Sequence, residues 1–387
     1  MPWKVNNIMN ERMRFVVRLQ EGERMSDLCR EFGISRKTGY KFWKRYHKYG
    51  PSGVFDGSKR PLRSHNSTSE AVKTHILTLK RAYPTWGAKK IRATLSVRHP
   101  FLHLPALSTI QLLLKKHGLV KRQCQKRIRG AFFQKRWTET KAPNDVWSAD
   151  FKGKFCLGNG RYCYPLTISD HFSRYLICCE GLENTCIRSA RGVFEAAFRK
   201  YGLPKVIRTD NGPPFATTGI AGLSSLSAWW LRLGIRIERI EPGHPEQNGR
   251  HERMHLTLKQ ATTRPPGYNF LQQQERFDRF IDEYNNERPH EALNMKRPVD
   301  IYVPSSRAYS EQMPDITYPK HDIVKSVTSC GKVHLFGRKH NFQLSYALAG
   351  QNVGLREISP GKWLVTFMNL DLGYVDEKIR LLQPIDP

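Results

Sequence analysis

Acidic residues are scarce in this chain: 34 Asp and Glu stand against 64 Lys and Arg in 387 residues, a formal charge of +30. Such a field draws polyanions, nucleic acid first. The deficit is uneven. Residues 1–150 hold 10 acids against 32 bases, and the remaining 237 residues hold 24 against 32. The front reads as an electrostatic grip and the back as an ordinary globular enzyme. Long apolar runs are missing too. None approaches the roughly 18 residues of a membrane span, and the N-terminus lacks an apolar signal core, so the chain reads as cytoplasmic with no membrane partner. The 8 cysteines include no C-x-x-C pair. Cys156, Cys163, Cys178, Cys179 and Cys186 share one apolar region and read as reduced thiols. Long-period repeats and low-complexity tracts are absent. The length suits two to four domains.

What is present begins with helices over residues 10–48. In "MSDLCREFGISRKTGYKFWKRYHKYG" two helical stretches flank a turn at Gly33. Ser26 and Ser35 are the expected caps. Tyr40, Trp43 and Tyr46 recur at helical spacing, with Tyr40 and Trp43 expected in the core. Arg36, Lys37, Lys41, Lys44 and Arg45 lie between them. The pattern predicts a helix-turn-helix unit over 1–60 whose second helix enters a major groove, with Ser35, Arg36, Lys37 and Lys41 against DNA. A Gly-, Pro- and Ser-rich linker follows. Residues 65–122 read as a second unit of the same type, with Ser108 capping a helix that carries Ile110, Leu113 and Leu114. The segment 123–143 and its approach are basic: "KRQCQKRIRGAFFQKRW" places seven bases between Lys121 and Arg136. Lys121, Arg122, Lys126 and Arg127 are expected to track a strand.

From Asn144 the pattern becomes three strands, helix, strand, helix, strand and further helices, which predicts a mixed sheet covered by helices over 144–305. Short alternating strands over 322–387 suggest a small β-barrel. Within the mixed region three acids stand out. Asp150 sits in the strand "VWSADFKG", Asp210 ends the strand "VIRTDNGPPF", and Glu252 opens a helix, where the helix field favours an acid. A carboxylate in an apolar strand is costly unless paired or bound to a cation. Each acid has an ordinary alternative, as a strand-edge acid, a turn former and a helix cap. Phosphoryl transfer on DNA uses two divalent ions held by oxygen ligands, and two Asp with one Glu supply that set.

These stretches, "VWSADFKG", "RTDNGPPF" and "HPEQNGRHERMHLTLK", resemble the three acidic motifs of retroviral-type integrase cores. "YNNERPHEAL" is similar to a segment that follows the glutamate in the same enzymes. Nearly the whole chain resembles the insertion-sequence transposases with a DDE catalytic core. The resemblance implies a multidomain α+β protein: helix-turn-helix units, an RNase H-like α/β core and a small β-barrel. It also implies a transposase that cleaves element ends and transfers their 3′-OH groups into target DNA. Asp150, Asp210 and Glu252 would be catalytic and would hold two Mg²⁺ or Mn²⁺ ions per active site. Lys259 would contact the element end. The partners would be the terminal inverted repeats, target DNA and further copies of the chain, as a dimer or more, at a bacterial nucleoid. The chain departs from the retroviral pattern in two ways: a longer interval between Asp210 and Glu252, with the insert at "ATTGIAGLSS", and no HHCC zinc module. The loop residue Glu246 is the rival to Glu252. Two other readings stand beside this one. His251-Glu252-x-x-His255 matches a zinc peptidase motif, although the extended pattern would need Gly and His where Leu258 and Ala261 stand. A catalytically inactive DNA-binding regulator derived from a transposase would keep the helix-turn-helix units alone in use.

Overall fold

The structure, a computed structural model, describes residues 8–57, 68–120, 137–241, 245–313, 315–335, 341–379 and 381–385. The expected strand-tracking bases Lys121, Arg122, Lys126 and Arg127 lie outside them. The chain divides into two units, Met1–Thr68 and Ser69–Pro387.

The first unit is three helices, α1 (Ile8–Gln20), α2 (Met25–Glu31) and α3 (Arg36–Tyr49), followed by a 3₁₀ turn at Gly50–Val54. Phe15, Val16, Leu28, Phe42 and Val54 form its core. Gly33 takes a φ of +63° between α2 and α3, a conformation costly for a side chain. The Ser35 hydroxyl caps α3 by accepting from the Thr38 N–H at 3.2 Å. Two sequence expectations need correction. Ser26 lies inside α2, whose N-cap is Arg24 without a side-chain bond. Tyr40 is 51% exposed. Gly39 and Phe42 face inward instead. A Cβ on Gly39 would meet Cys29 Sγ and Met25 Sδ at 2.8 Å, so only glycine lets α2 and α3 approach this closely.

The second unit opens with α4 (Glu70–Ala82), α5 (Ala88–Arg98) and α6 (Leu107–Lys116). They enclose Val72, Ile76, Trp86, Ile91, Ile110 and Leu114. The N-cap of α6 is Ala106, so Ser108 lies within the helix and does not cap it.

A mixed sheet follows: β1 (Val146–Phe151), β2 (Phe155–Cys156), β3 (Tyr162–Asp170) and β4 (Leu176–Leu182), then α7 (Ile187–Tyr201), β5 (Val206–Thr209), α8 (Ser225–Arg232) and β6 (Arg236–Arg239). The order is β2-β3-β1-β5-β6, with β4 on β3. β3 runs antiparallel to β1, while β1, β5 and β6 are parallel. Side chains alternate across a strand. One sheet face therefore carries Trp147, Ala149, Ile168 and Ile207. Against it α7 lays Ala190, Phe194, Ala197 and Phe198, spaced four, three and one apart, and α8 adds Trp230. The opposite face carries Ser148, Asp150, Thr167, Ser169 and Arg208, paired across β3, β1 and β5. This second face is covered by α9 (Gly249–Thr262), and α10 (Phe270–Asp282) packs beside it through Met254, Leu258, Phe277 and Phe280.

The edge strand β4 has outward backbone groups that would invite another strand. Amide side chains occupy them. Gln274 accepts from Gly181 N–H and donates to Cys179 C=O, and Asn285 bonds both Leu176 N–H and Leu176 C=O. After α10 a π-helical turn, Glu283–Glu287, leads into the segment that docks the first helices of this unit. Tyr83 donates to the Glu287 carboxylate, Arg98 reaches it at 3.3 Å, and Lys89 pairs with Glu291 at 3.0 Å.

The C-terminal strands are β7 (Ile323–Ser326), β8 (Lys332–His334), β9 (Asn341–Gln343), β10 (Asn352–Ser359), β11 (Lys362–Phe367), β12 (Leu370–Asp376) and β13 (Leu382–Pro384). The expected closed barrel is corrected here. Among the described residues five strands pair in the open order β13-β12-β11-β10-β7, and β8 pairs only with β9. Alternation and turns specify strands, but not whether the two edges meet, and the edge strands here have only three and four residues. The segment after Asp210 folds back through an Ala216–Leu223 bridge and buries Leu223 against this sheet with Val353 and Phe367.

Candidate active site

The polar face of the mixed sheet gathers the acids. Asp150 is the penultimate residue of β1, and Asp210 follows the last residue of β5. Ser148 faces Arg208 in the parallel register. Carrying that register on by two residues sets Asp210 beside Asp150, at the roughly 4.8 Å spacing of adjacent strands. Glu252 stands in the first turn of α9 and is exposed. Burial, the charge of Asp210 and a smaller contribution from Glu252 push the Asp150 carboxyl up to about 7. Burial also raises Asp210, against the pull of the Gly212 N–H that donates to it at 3.2 Å. Asp150 thus feels both other acids, Asp210 the more strongly. Among the described residues no three His, Cys, Asp or Glu side chains are grouped closely enough to hold a metal ion. Asp150 lies on a strand, Asp210 just past the end of one, and Glu252 is exposed on a helix.

The helix is fastened to the sheet by two imidazoles. His251 Nε2 and His255 Nε2 each lie 2.7 Å from Thr167 Oγ1, and His251 Nδ1 lies 2.9 Å from Ser169 Oγ. Thr167 has one hydroxyl proton, and it goes to the Asp150 carbonyl at 3.0 Å. Both imidazoles must then donate from Nε2 to the two lone pairs of that hydroxyl. Burial pushes His251 to about 3 and His255 to about 2, so both rings are neutral. His255 Nδ1, 3.8 Å from Asp150 Oδ2, consequently presents a lone pair and makes no ion pair.

Comparison with known proteins places this geometry. An integrase core domain matches residues 140–245 and again 233–298, and a helix-turn-helix domain matches residues 11–61. The chain is 28% identical over 196 residues to an uncharacterized 31.7 kDa protein of insertion element IS407 from Burkholderia multivorans, covering 50% of this chain and 67% of that protein. It is 26% identical over 243 residues to an uncharacterized 39.2 kDa protein of insertion element IS476 from Xanthomonas euvesicatoria, covering 60% and 65%. The chain belongs to the insertion-sequence transposases with an integrase-type catalytic core. Among solved structures, the HTLV-2 integrase catalytic core domain in complex with magnesium matches at 16% identity and a TM-score of 0.35, over 43% of this chain and 100% of that one.

As a transposase the protein is a polynucleotidyl transferase, and its domain types make DNA its partner. The remaining sequence-derived residues fall as follows. Arg36, Lys37 and Lys41 are exposed along α3, beside the cap Ser35. Lys259 is exposed on α9, seven residues and two turns past Glu252. Glu246 lies in a 3₁₀ turn, Pro245–Asn248, before α9. In the zinc reading His251 and His255 would converge on one ion, yet three of their ring nitrogens are bonded to hydroxyls of β3 and both rings are buried. No helix among the described residues is long and apolar enough to cross a membrane. Sequence reasoning missed Thr167, Ser169, His171, Arg208 and Arg250. Alternation along β1 and β5 carried a signal for part of this set, since Ser148 and Arg208 sit two residues before the two aspartates.

Proposed function

We propose that this transposase is a DDE enzyme in which Asp150, Asp210 and Glu252 hold two divalent cations, Mg²⁺ or Mn²⁺. The observation that carries the reading is the placement of Asp150 on β1, Asp210 just past the adjacent parallel strand β5, and Glu252 in the first turn of the helix that covers them. Burial, then the charge of Asp210 and a smaller contribution from Glu252, raises Asp150 to about 7. A buried acid repelled by its neighbours is a site short of positive charge. Hard oxygen donors suit Mg²⁺ or Mn²⁺. Divalent-metal dependence is also typical of the integrase family. When bound, such ions supply activation of an attacking oxygen and neutralisation of the leaving one.

The protein's own residues do the rest. β1 and β5 fix Asp150 and Asp210 on rigid backbone, and Thr167 with His251 and His255 fixes α9, from which Glu252 closes the site. In the first reaction water attacks the phosphodiester at the element end and releases a 3′-OH. In the second that hydroxyl attacks a target phosphodiester at the same acids. Residues 1–60 and 65–122 act as the reading heads for the terminal repeats, 123–143 as the strand-tracking linker, and 144–305 as the RNase H-like core. Residues 322–387 form the accessory β domain. Two ends must be processed together, so the working form is a dimer or larger. Asp150→Asn should abolish metal-dependent nicking and joining while the same duplex is bound as tightly as by the wild type. Joining retained by Asp150→Asn overturns the assignment.

A further inference from the structure

A cavity of about 430 Å³ lies between Trp137–Thr140, the turn after β3, Arg208 on β5 and the start of α9. Its floor is Arg208, whose guanidinium is 4% exposed, holds Glu238 at 2.8 Å and lies 4.4 Å from the centre of the Trp137 ring. His171 stands next to it, with Nε2 3.4 Å from Arg208 Nη1 and Nδ1 3.3 Å from Ser148 Oγ. Two further guanidinium groups meet at this residue. Arg174 donates to the His171 carbonyl at 2.9 Å, and Arg250 donates to the same oxygen at 3.4 Å.

Among the carboxylates around this cavity, the lining residue Glu139 is exposed and pairs with Lys141 at 3.2 Å. The Glu238 carboxylate is taken by Arg208 and by the Thr138 N–H. The Asp170 carboxylate is taken by Asn144 N–H, Ser173 N–H and Ser173 Oγ–H. Among the described residues no carboxylate pairs with Arg174 or Arg250, and one carbonyl oxygen serves both. Burial and the charge of Arg250 lower Arg174 to about 10, and burial and the charge of Arg208 bring Arg250 below its ordinary value. Burial and the three arginines push His171 to about 2, so the ring adds no charge of its own. The result is two partly desolvated cations, a neutral imidazole and room for a small anion. Guanidinium forks match the oxygens of a phosphate.

We infer that this cavity binds one backbone phosphodiester of the DNA strand, held by Arg250 above the Arg208–Glu238 floor, with Arg174 adding positive charge nearby through the shared His171 carbonyl. The inference rests on the reading of the acids as the reacting centre. Ser148 and Arg208 precede Asp150 and Asp210 by two residues, roughly 7 Å along the strands. A contact of this kind positions the strand near the acids without reading its sequence.

The test uses the full-length chain with Arg250→Gln and Arg250→Lys, and a fluorescein-labelled 20-bp duplex of arbitrary sequence without divalent metal. Removing one phosphate contact should lower the slope of log K against log salt by about 1 and weaken binding several-fold at about 0.15 M salt. Arg250→Lys should restore the slope and only part of the affinity. Inorganic phosphate at the phosphate concentration of the duplex should compete far less well than unlabelled duplex. Equal competition would make this a site for free phosphate and overturn the strand assignment. An Arg250→Gln slope and affinity matching the wild type would overturn the site altogether. A fall in thermal stability with an unchanged slope would make Arg250 structural and equally overturn it. Metal-dependent joining by the wild type reports separately on the acids, so the two readings fail by different measurements.

Discussion

Replacing Asp150 by Asn should make the metal-free protein more stable above neutral pH while removing its catalysis. The carboxyl is raised from its ordinary value of 3.8 to about 7. A raised acid binds its proton more tightly in the folded chain than in the unfolded one. Stability is then unaffected below pH 3.8, falls as the pH climbs from there to about 7, and levels off above. At about 1.4 kcal/mol per pH unit the full penalty is about 4 kcal/mol. The side chain is 22% exposed, so solvent relieves part of this, and about 2 kcal/mol is a fair expectation at pH 8. In a unit of this size that is a rise on the order of 5 °C in the melting midpoint. The assay is thermal unfolding of wild type and Asp150→Asn from pH 5 to 9 in EDTA, repeated with Mg²⁺ or Mn²⁺. The gain of the variant should be small at pH 5, larger at pH 8, and should shrink with metal, which stabilises the wild type alone. A variant that is destabilised equally at both pH values would refute the reasoning. So would metal that stabilises both proteins alike.

Five further substitutions probe the mounting of α9, the cap of α3 and the docking of the helices that open the second unit. Thr167→Val leaves two buried imidazole N–H groups and the Asp150 carbonyl without their shared hydroxyl, which should cost about 2–4 kcal/mol in denaturant unfolding. Thr167→Ser should recover most of it, and a Val variant as stable as the wild type would dissolve the proposed network. Ser35→Ala removes the α3 cap and should cost about 1 kcal/mol in the first unit, together with weaker duplex binding; a melting curve identical to the wild type would count against the cap. Glu287→Gln and Tyr83→Phe should each cost about 1 kcal/mol, and the double variant no more than either alone. Additive losses would mean that the two side chains do not work as a pair.

How far the sequence carried depends on how near together in the chain the deciding residues lie. The positions of Asp150 and Asp210 at strand ends and of Glu252 in a first helical turn were legible because each bears its signal locally. The capping of α3 by Ser35 was local as well. Ser26 and Ser108 misled because a serine near a helix start need not cap it. The true starts at Met25 and Leu107 follow from which turns bury Leu28 and Ile110. Tyr40 misled because helical spacing marks a stripe without saying which stripe is buried, and the missing side chain of Gly39 decides that.

The frame of the site was hidden for a different reason. Thr167 meets His251 and His255 across 84 and 88 residues of chain, and nothing local in "TISDHF" or "HERMH" pairs them. Once the sheet register is known the pairing becomes almost forced. Thr167 lies opposite Asp150, Ser169 lies opposite Ser148, and a helix carrying the third acid has to cross that face to bring Glu252 near the aspartates. A helix laid over polar strand positions must satisfy their hydroxyls. Two imidazoles one turn apart do so while burying little charge. On the proposed reading the His-Glu-x-x-His spelling is a by-product of mounting Glu252 over a polar sheet: the histidines face the hydroxyls, and the glutamate between them is left exposed.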